Sequence, residues 1–425
     1  MPAARPCPSC VLRMACLRPP TSSLPTPARA LRAAVVPFAL ASACSSACSS
    51  AGAPSDGLRP DALVGIGVAF NPARPGMAAV ERGATLAVEA LNTTAFTRVR
   101  GVRFVLRPTP AGVTGAVAAA ERLRDDPTVI GVVGDAESGR TLDALPVFED
   151  AAGGGARAVV AVTPTATSPA LVGRSPWLFR VSPDDGAASR AAAAYATDSL
   201  RARRAAVVYR ADSYGRDWAA AFTREFRARG GQIVARDPYL AGVTSWPTYA
   251  RYLAALRPDV VLFPGSDVDA APFVRALRAV GVAAPFVGGD AVAPLADSTG
   301  FDGVRYTVPF TAERAVAPGA PEAGREFVAR YTARYGDRPG VRAAMAYEAT
   351  LLVGRAALAV DLGAADRRAL VRDHLAGLGR TTAPAAGVVG PVAFDADHGV
   401  VGRGVLVATV GRPPAAAPRP AGSGR

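Results

Sequence analysis

The apolar positions of this 425-residue chain fall into two alternating kinds of run. Short, strongly apolar stretches open at Ala62 (ALVGIGVAF) and recur at residues 102–108 (VRFVLRP), 129–133 (VIGVV) and 159–162 (VVAV). Each has the length and β-branched content of a buried strand. Between them the apolar spacing becomes helical, at residues 83–91, at 114–123, and at Leu142, Leu145 and Phe148 beyond Ser138-Gly139. The rhythm restarts after Pro183, with helical spacing at 187–200, 218–229, 249–256 and 271–280. Strand-like runs lie at 205–209, 232–239, 260–263 and 285–287. This alternation predicts parallel sheets covered by helices on both faces, and two successive units of similar size predict two lobes. Beyond Asp302 the pattern predicts a strand at 304–309, helices at 326–335, 345–360 and 365–378, and strands at 392–394 and 404–410.

The stretch from 129 to 171 carries the first candidate chemistry. Each of its two strand runs stops at small and hydroxyl residues: Gly134 and Ser138 in one case, Thr163-Pro164, Thr165, Ala166 and Thr167 in the other. In a parallel sheet both strand ends face one crevice, where helix N-termini and free backbone N–H groups favour an anion such as a carboxylate. The competing reading is that these hydroxyls are ordinary caps and turn residues.

Charge and cysteine content narrow the picture. The net charge is +13, yet every one of the 48 basic residues is arginine, and they are scattered rather than clustered. With so much Ala, Gly and Pro, this pattern reflects coding bias as much as a basic function. No zinc-finger or aromatic RNA-binding motif accompanies the arginines, so a nucleic-acid partner is not indicated. Arg29 and Arg32 precede a short apolar run at 33–43 that ends Ala41-Ser42-Ala43-Cys44, the signature of an export signal. The run is too short to span a bilayer. Cys44, directly after small residues, is a candidate for lipidation, with Cys48 a second, and 1–43 would then be a removable leader. All five cysteines lie in the first 48 residues, so a body beginning near residue 61 has no disulfide, thiol nucleophile or thiolate metal site. Residues 44–60 read as a flexible tether and 413–425 as a disordered Pro/Ala-rich tail.

Six stretches then carry a family resemblance: VVGDAESG at 132–139, VTPTATSPAL at 162–171, YRADSYG at 209–215, FVGGD at 286–290, AMAYEA at 344–349 and GPVAFDADHG at 390–399. In this order, over nearly the whole mature chain, they resemble the leucine/isoleucine/valine-binding family of extracytoplasmic solute receptors of ABC importers. That resemblance implies an α/β fold of two Rossmann-like lobes with parallel sheets joined by a three-crossover hinge, the type I periplasmic-binding fold. Lobe 1 would comprise 61–182 and 304–400, and lobe 2 would comprise 183–303 and the last strand at 401–412. It further implies that Ser138 holds a ligand carboxylate, with the loop Thr165, Ala166 and Thr167 supplying a carbonyl, a hydroxyl and an N–H. Tyr214 would close over the ligand from lobe 2, and Asp290 would pair with an ammonium group. Ser266 falls at another position of the ligand site. Independently, Asp290 ends a strand, follows two glycines and precedes a loop, where a carboxylate wants a cation or a donor.

Departures from the resemblance bear on the ligand. Ser266 stands where branched-chain binders carry tyrosine, the first loop at 71–77 is short and lacks their aromatic residue, Glu137 adds a charge beside Ser138, and 153–156 is an insertion. The resemblance therefore implies a small polar ligand, an amino acid or an amide-like molecule, delivered to an ABC transporter permease. The protein would be exported and held at the membrane only through a lipid anchor. Two alternatives share the fold: a lipoprotein regulating cell-wall synthesis by protein contact, and a ligand-sensing subunit of a membrane receptor. No enzyme is indicated. His374 and His398 are isolated, and no nucleophile elbow, P-loop, dinucleotide fingerprint or metal-ligand cluster is present, so neither cofactor nor metal is expected.

Overall fold

The computed structural model describes residues 62–70, 76–110, 112–243 and 245–411. The leader, Cys44, the tether, most of the first loop and the tail lie outside the described residues.

The buried apolar runs form the first sheet: β1 (Ala62–Val68), β2 (Val102–Pro108), β3 (Val129–Val133), β4 (Ala161–Thr163) and β5 (Leu178–Arg180), in the order β2-β1-β3-β4-β5. Every pairing in it is parallel. β3 and β4 are buried along their whole length, as strands covered on both faces must be. Helices α1 (Ala78–Asn92), α2 (Ala95–Val99), α3 (Ala116–Asp125) and α4 (Ser138–Phe148) connect these strands.

After β5 the chain crosses to a second sheet. Helices α5 (Asp185–Ala194), α6 (Ser213–Ala228), α7 (Trp246–Leu256) and α8 (Asp267–Ala279) alternate there with β6 (Arg204–Arg210), β7 (Gln232–Tyr239), β8 (Val260–Phe263), β9 (Phe286–Gly288) and β10 (Arg305–Val308). The sheet runs β11-β10-β9-β8-β6-β7, and β11 (Leu406–Thr409) is its only antiparallel strand. Between β10 and β11 lie α9 (Ala312–Ala315), α10 (Glu322–Tyr335), α11 (Val341–Ala359) and α12 (Arg367–Gly377). α11 is buried on nearly all sides, packed on α1, β3, β4 and α12, and so belongs to the first layer.

Three details differ from the sequence reading. β10 pairs with β9, so the return to the first layer falls after Val308 rather than at residue 304. Residues 392–394 make isolated bridges, Ala385 to Val392 and Phe394 to Val400, rather than a strand. β5 went unread because three residues between Pro176 and Pro183 are too few to show a period.

The first and third crossings between the sheets are tied together. Arg180 N donates to His398 O at 3.1 Å, Val400 N donates to Arg180 O at 3.0 Å, and Arg403 Nη1 donates to Val181 O at 2.9 Å. Arg403 also meets Glu348 of α11 at 2.5 Å, both side chains being only 2% exposed.

Candidate functional site

On the first sheet, β3 and β4 deliver their following loops to one place. Ser138, the first residue of α4, accepts hydrogen bonds from the backbone N–H of Thr167 (3.2 Å) and Ser168 (3.1 Å). Thr163 Oγ1 donates to Asp135 O at 2.8 Å and Thr165 Oγ1 to Ala136 O at 3.0 Å, while Ala166 N donates to Thr163 Oγ1 at 3.2 Å. These bonds stitch the two loops, so Thr165 and Ala166 are held rather than free. Thr167 Oγ1 is buried without a partner. The Ser138 hydroxyl, already accepting twice, retains a proton to donate. Glu137 is half-buried, its N–H donating to Asp135 Oδ1 at 3.1 Å.

From the second sheet, α6 begins well before the helical spacing at 218 indicates, because Asp212 caps it by accepting from Gly215 N at 2.8 Å. The early start puts Tyr214 in the first turn, where its hydroxyl donates to Asp290 Oδ1 at 3.2 Å. Gly289 allows this approach: a Cβ there would stand 2.0 Å from the Tyr214 hydroxyl oxygen and 3.3 Å from Trp218 Nε1. Burial pushes the Asp290 carboxyl up to about 6, opposed first by the Arg342 charge and then by the Tyr214 hydrogen bond. Burial, reinforced by the Asp290 and Asp185 charges, lifts the Tyr214 phenol well above its usual range.

Asp185 escaped the sequence reading. Its N–H donates to Thr167 O at 2.9 Å, and both carboxyl oxygens are buried without a hydrogen-bond partner. Burial holds this carboxyl far above the carboxylate range. The Thr167 hydroxyl, which faces this carboxyl without closing to hydrogen-bond distance, and Arg180 lower it, while Asp290 and Asp217 raise it further. Nearby, Ser168 Oγ donates to Asp217 of α6, and Ser213 Oγ and Trp218 Nε1 are buried and unpartnered.

Ser266 has its hydroxyl engaged at the start of α8. It caps α8, its hydroxyl donating to Asp269 Oδ2 at 2.8 Å, an oxygen that also accepts from the Tyr239 hydroxyl at 3.2 Å. His374 lies in the last turn of α12, and His398 stacks on Phe179 with ring centroids 4.1 Å apart. Among the described residues no three of His, Cys, Asp and Glu gather to hold a metal ion. A cavity of about 520 Å³ beside Arg124, Arg157 and Arg368 is chemically spent, since Arg368 already donates to the carbonyls of Val129, Arg124, Arg157 and Asp126.

The arrangement therefore brings together the Ser138 hydroxyl at the start of α4, which can donate to an anion, and two acidic side chains, Asp185 and Asp290, which can meet a cation, with Tyr214 and Trp218 beside Asp290. Such a site suits a small zwitterion.

A family described as periplasmic binding protein matches residues 71–415. An amino acid binding protein of Pseudomonas aeruginosa is 29% identical over 212 residues, 50% of this chain and 55% of that one. The Leu/Ile/Val-binding protein of Escherichia coli is 27% identical over 179 residues, 42% of this chain and 47% of that one. The matched part thus spans about half the length of these curated relatives. Among solved structures, a leucine-binding protein from Thermotoga maritima superposes with a TM-score of 0.70 at 22% identity, covering 82% of this chain and 95% of that one. A solute-binding protein from R. palustris, solved with benzoate, gives 0.69 at 19% identity, covering 82% and 93%. At such identities the structural likeness speaks for the fold.

Proposed function

Since the chain belongs to the periplasmic binding protein family, a family of binding proteins rather than enzymes, we propose that it is an exported receptor for a small amino-acid-like zwitterion. It captures the ligand between its two sheets and presents it to an ABC importer. Ser138 and Thr167 take the carboxylate, and Asp185 and Asp290 take the ammonium. Tyr214 covers the bound molecule. Attachment of the mature chain to the membrane through lipid on Cys44 is part of the same proposal.

One observation carries this reading. Unpartnered buried polar atoms of Thr167, Asp185, Ser213 and Trp218 come from both sheets and lie around the Tyr214–Asp290 pair. A buried donor or acceptor without a partner is costly, and a ligand supplying the missing partners recovers that loss. The amino acid and Leu/Ile/Val specificities named for the relatives point to the same ligand class.

The test is calorimetric titration of the chain with a panel of α-amino acids and with matched acids lacking the amine. Thr167→Ala should weaken the best ligand by roughly 1–3 kcal/mol, the range for a charged partner left one hydrogen bond short. Unchanged affinity would make Thr167 a loop residue only. Tighter binding of the amine-free acids would remove the ammonium from the reading.

A further inference from the structure

Arg342, the second residue of α11, is the group that the site described so far does not use. α11 belongs to the first layer, yet the Arg342 guanidinium reaches across to the second. Its Nη2 lies 3.7 Å from Asp267 Oδ1 in the first turn of α8, and the side chain is only 14% exposed. Its charge is the largest influence opposing burial at Asp290. On its other side it lies against Gly76, where a Cβ would come within 1.8 Å of Nη1. Nη1 itself is buried with no hydrogen-bond partner among the described residues. A guanidinium is always charged, and its planar fork of donors matches a carboxylate.

We propose that Arg342 sets the ligand's side-chain class: its free Nη1 reads a second acidic group, so the preferred ligand is an α-amino acid with an acidic side chain. The inference rests on the zwitterion reading above and deepens it. When a ligand ammonium takes Asp290, Arg342 loses the counter-charge it faces in the empty site and keeps only Asp267 at a loose 3.7 Å. A neutral, apolar side chain leaves Nη1 unpaired and the guanidinium under-compensated. A side-chain carboxylate satisfies both at once, in the fork geometry that arginine favours.

Leucine and glutamate, similar in length and differing in the terminal acid, are the probes, titrated calorimetrically into the full chain and into Arg342→Gln and Asp267→Asn. Wild type should bind glutamate more tightly than leucine. Arg342→Gln should lose at least about tenfold for glutamate while keeping or gaining affinity for leucine. Asp267→Asn frees the guanidinium from a competing carboxylate, so glutamate affinity should hold or rise while leucine changes little. A thermal melt of each variant establishes that it folds. If Arg342→Gln does not fold, Arg342→Lys, which keeps the charge but not the fork, should retain a reduced preference for glutamate. Leucine bound as well as or better than glutamate by wild type would overturn the inference and leave the zwitterion reading standing. Equal losses for both probes in Arg342→Gln would reduce Arg342 to a tie between the two layers and overturn it likewise. Binding of neither probe, nor of any other α-amino acid, would defeat the zwitterion reading and the inference with it.

Discussion

At Asp290, burial raises the carboxyl to about 6 while Arg342 and Tyr214 pull it down, and this balance sets two pH dependences of opposite sense. In the unliganded protein the folded value lies above the reference 3.8, so the folded state binds the proton more tightly than the unfolded one. Below about pH 4 both states are protonated and the group makes no difference. As pH rises through 6 the ionised group must stay buried, and stability falls by on the order of 3 kcal/mol. Asp290→Asn should therefore melt higher than wild type at neutral pH, with the two converging in acid. Ligand binding runs the other way, because an ammonium pairs with the ionised carboxylate. Affinity should decline as pH drops below about 6, toward tenfold per pH unit, and the asparagine variant should lose that slope along with several kcal/mol of affinity. Thermal melts between about pH 4 and 7 and ligand titrations between about pH 5 and 8 read the two effects, and a flat wild-type affinity profile would separate Asp290 from the ligand. Residues differ in how legible such roles are. Ser138 and Thr167 stand out because they fall in the short loops that follow two strand runs, and Asp290 because two glycines precede it. Asp185 hides within Pro183-Asp184-Asp185-Gly186, which reads as nothing more than a helix start. Arg342 is one arginine among 48 in a chain without lysine, so its residue type carries no signal.

Elements place these side chains by where they stop and start. β9 ends at Gly288, Gly289 follows in extended backbone, and a 3₁₀ segment begins at Asp290, so the carboxyl emerges at the strand's end beneath the first turn of α6. Gly289→Ala would drive a methyl into the Tyr214 hydroxyl, 2.0 Å away, and toward Trp218 Nε1. Tyr214 sits at the half-buried start of a helix and can swing outward, so the strain should be relieved there rather than in the sheet. We expect a stability loss near 1 kcal/mol and a ligand affinity loss of about tenfold or more, read by thermal melts and titration. An unaltered affinity would show that the Tyr214–Asp290 contact is incidental to binding. The longer strands and helices of this layer, such as β6, β7 and α8, were readable because their apolar periods extend over many residues. The start of α6 was not, since Asp212 caps a first turn, Ser213-Tyr214-Gly215-Arg216, that is polar and glycine-bearing. β5 and the 392–394 segment failed for the opposite reason: apolar runs of three residues do not distinguish a strand from a bridge.

Across the whole molecule, ties of two kinds join the layers, and they have different consequences for closure. At the crossings, Arg403 binds Glu348, Val181 and Gly390, holding the connecting segments together regardless of what lies between the sheets. That pivot follows from β5, β10 and β11 contributing to their sheets at the points of crossing. The sequence alone misplaced one crossing by a few residues, because β10 reads equally well as the first strand of a returning lobe. The second kind of tie spans the cleft itself: Ser168 Oγ donates to Asp217, and Arg342 approaches Asp267 at 3.7 Å. Such cleft ties favour the closed arrangement even before a ligand adds its differential affinity for that state. Asp217 is half-buried, with its carboxylate accepting from Ser168 Oγ, and its charge reaches Asp185 only through space, so its removal should act chiefly on the open–closed equilibrium. A hydrogen bond to a charged group contributes roughly 1.5–3 kcal/mol net, so Asp217→Ala should shift that equilibrium toward the open form by about ten- to a hundredfold. X-ray scattering should then show a larger unliganded radius of gyration for the variant than for wild type, and the same compact value for both once ligand saturates. Titration should show weaker apparent affinity by the factor that the closed population lost, as expected when only part of the population is competent to bind. If the unliganded variant scatters like wild type yet binds more weakly, Asp217 touches the ligand directly and the Ser168–Asp217 bond is not a closure tie.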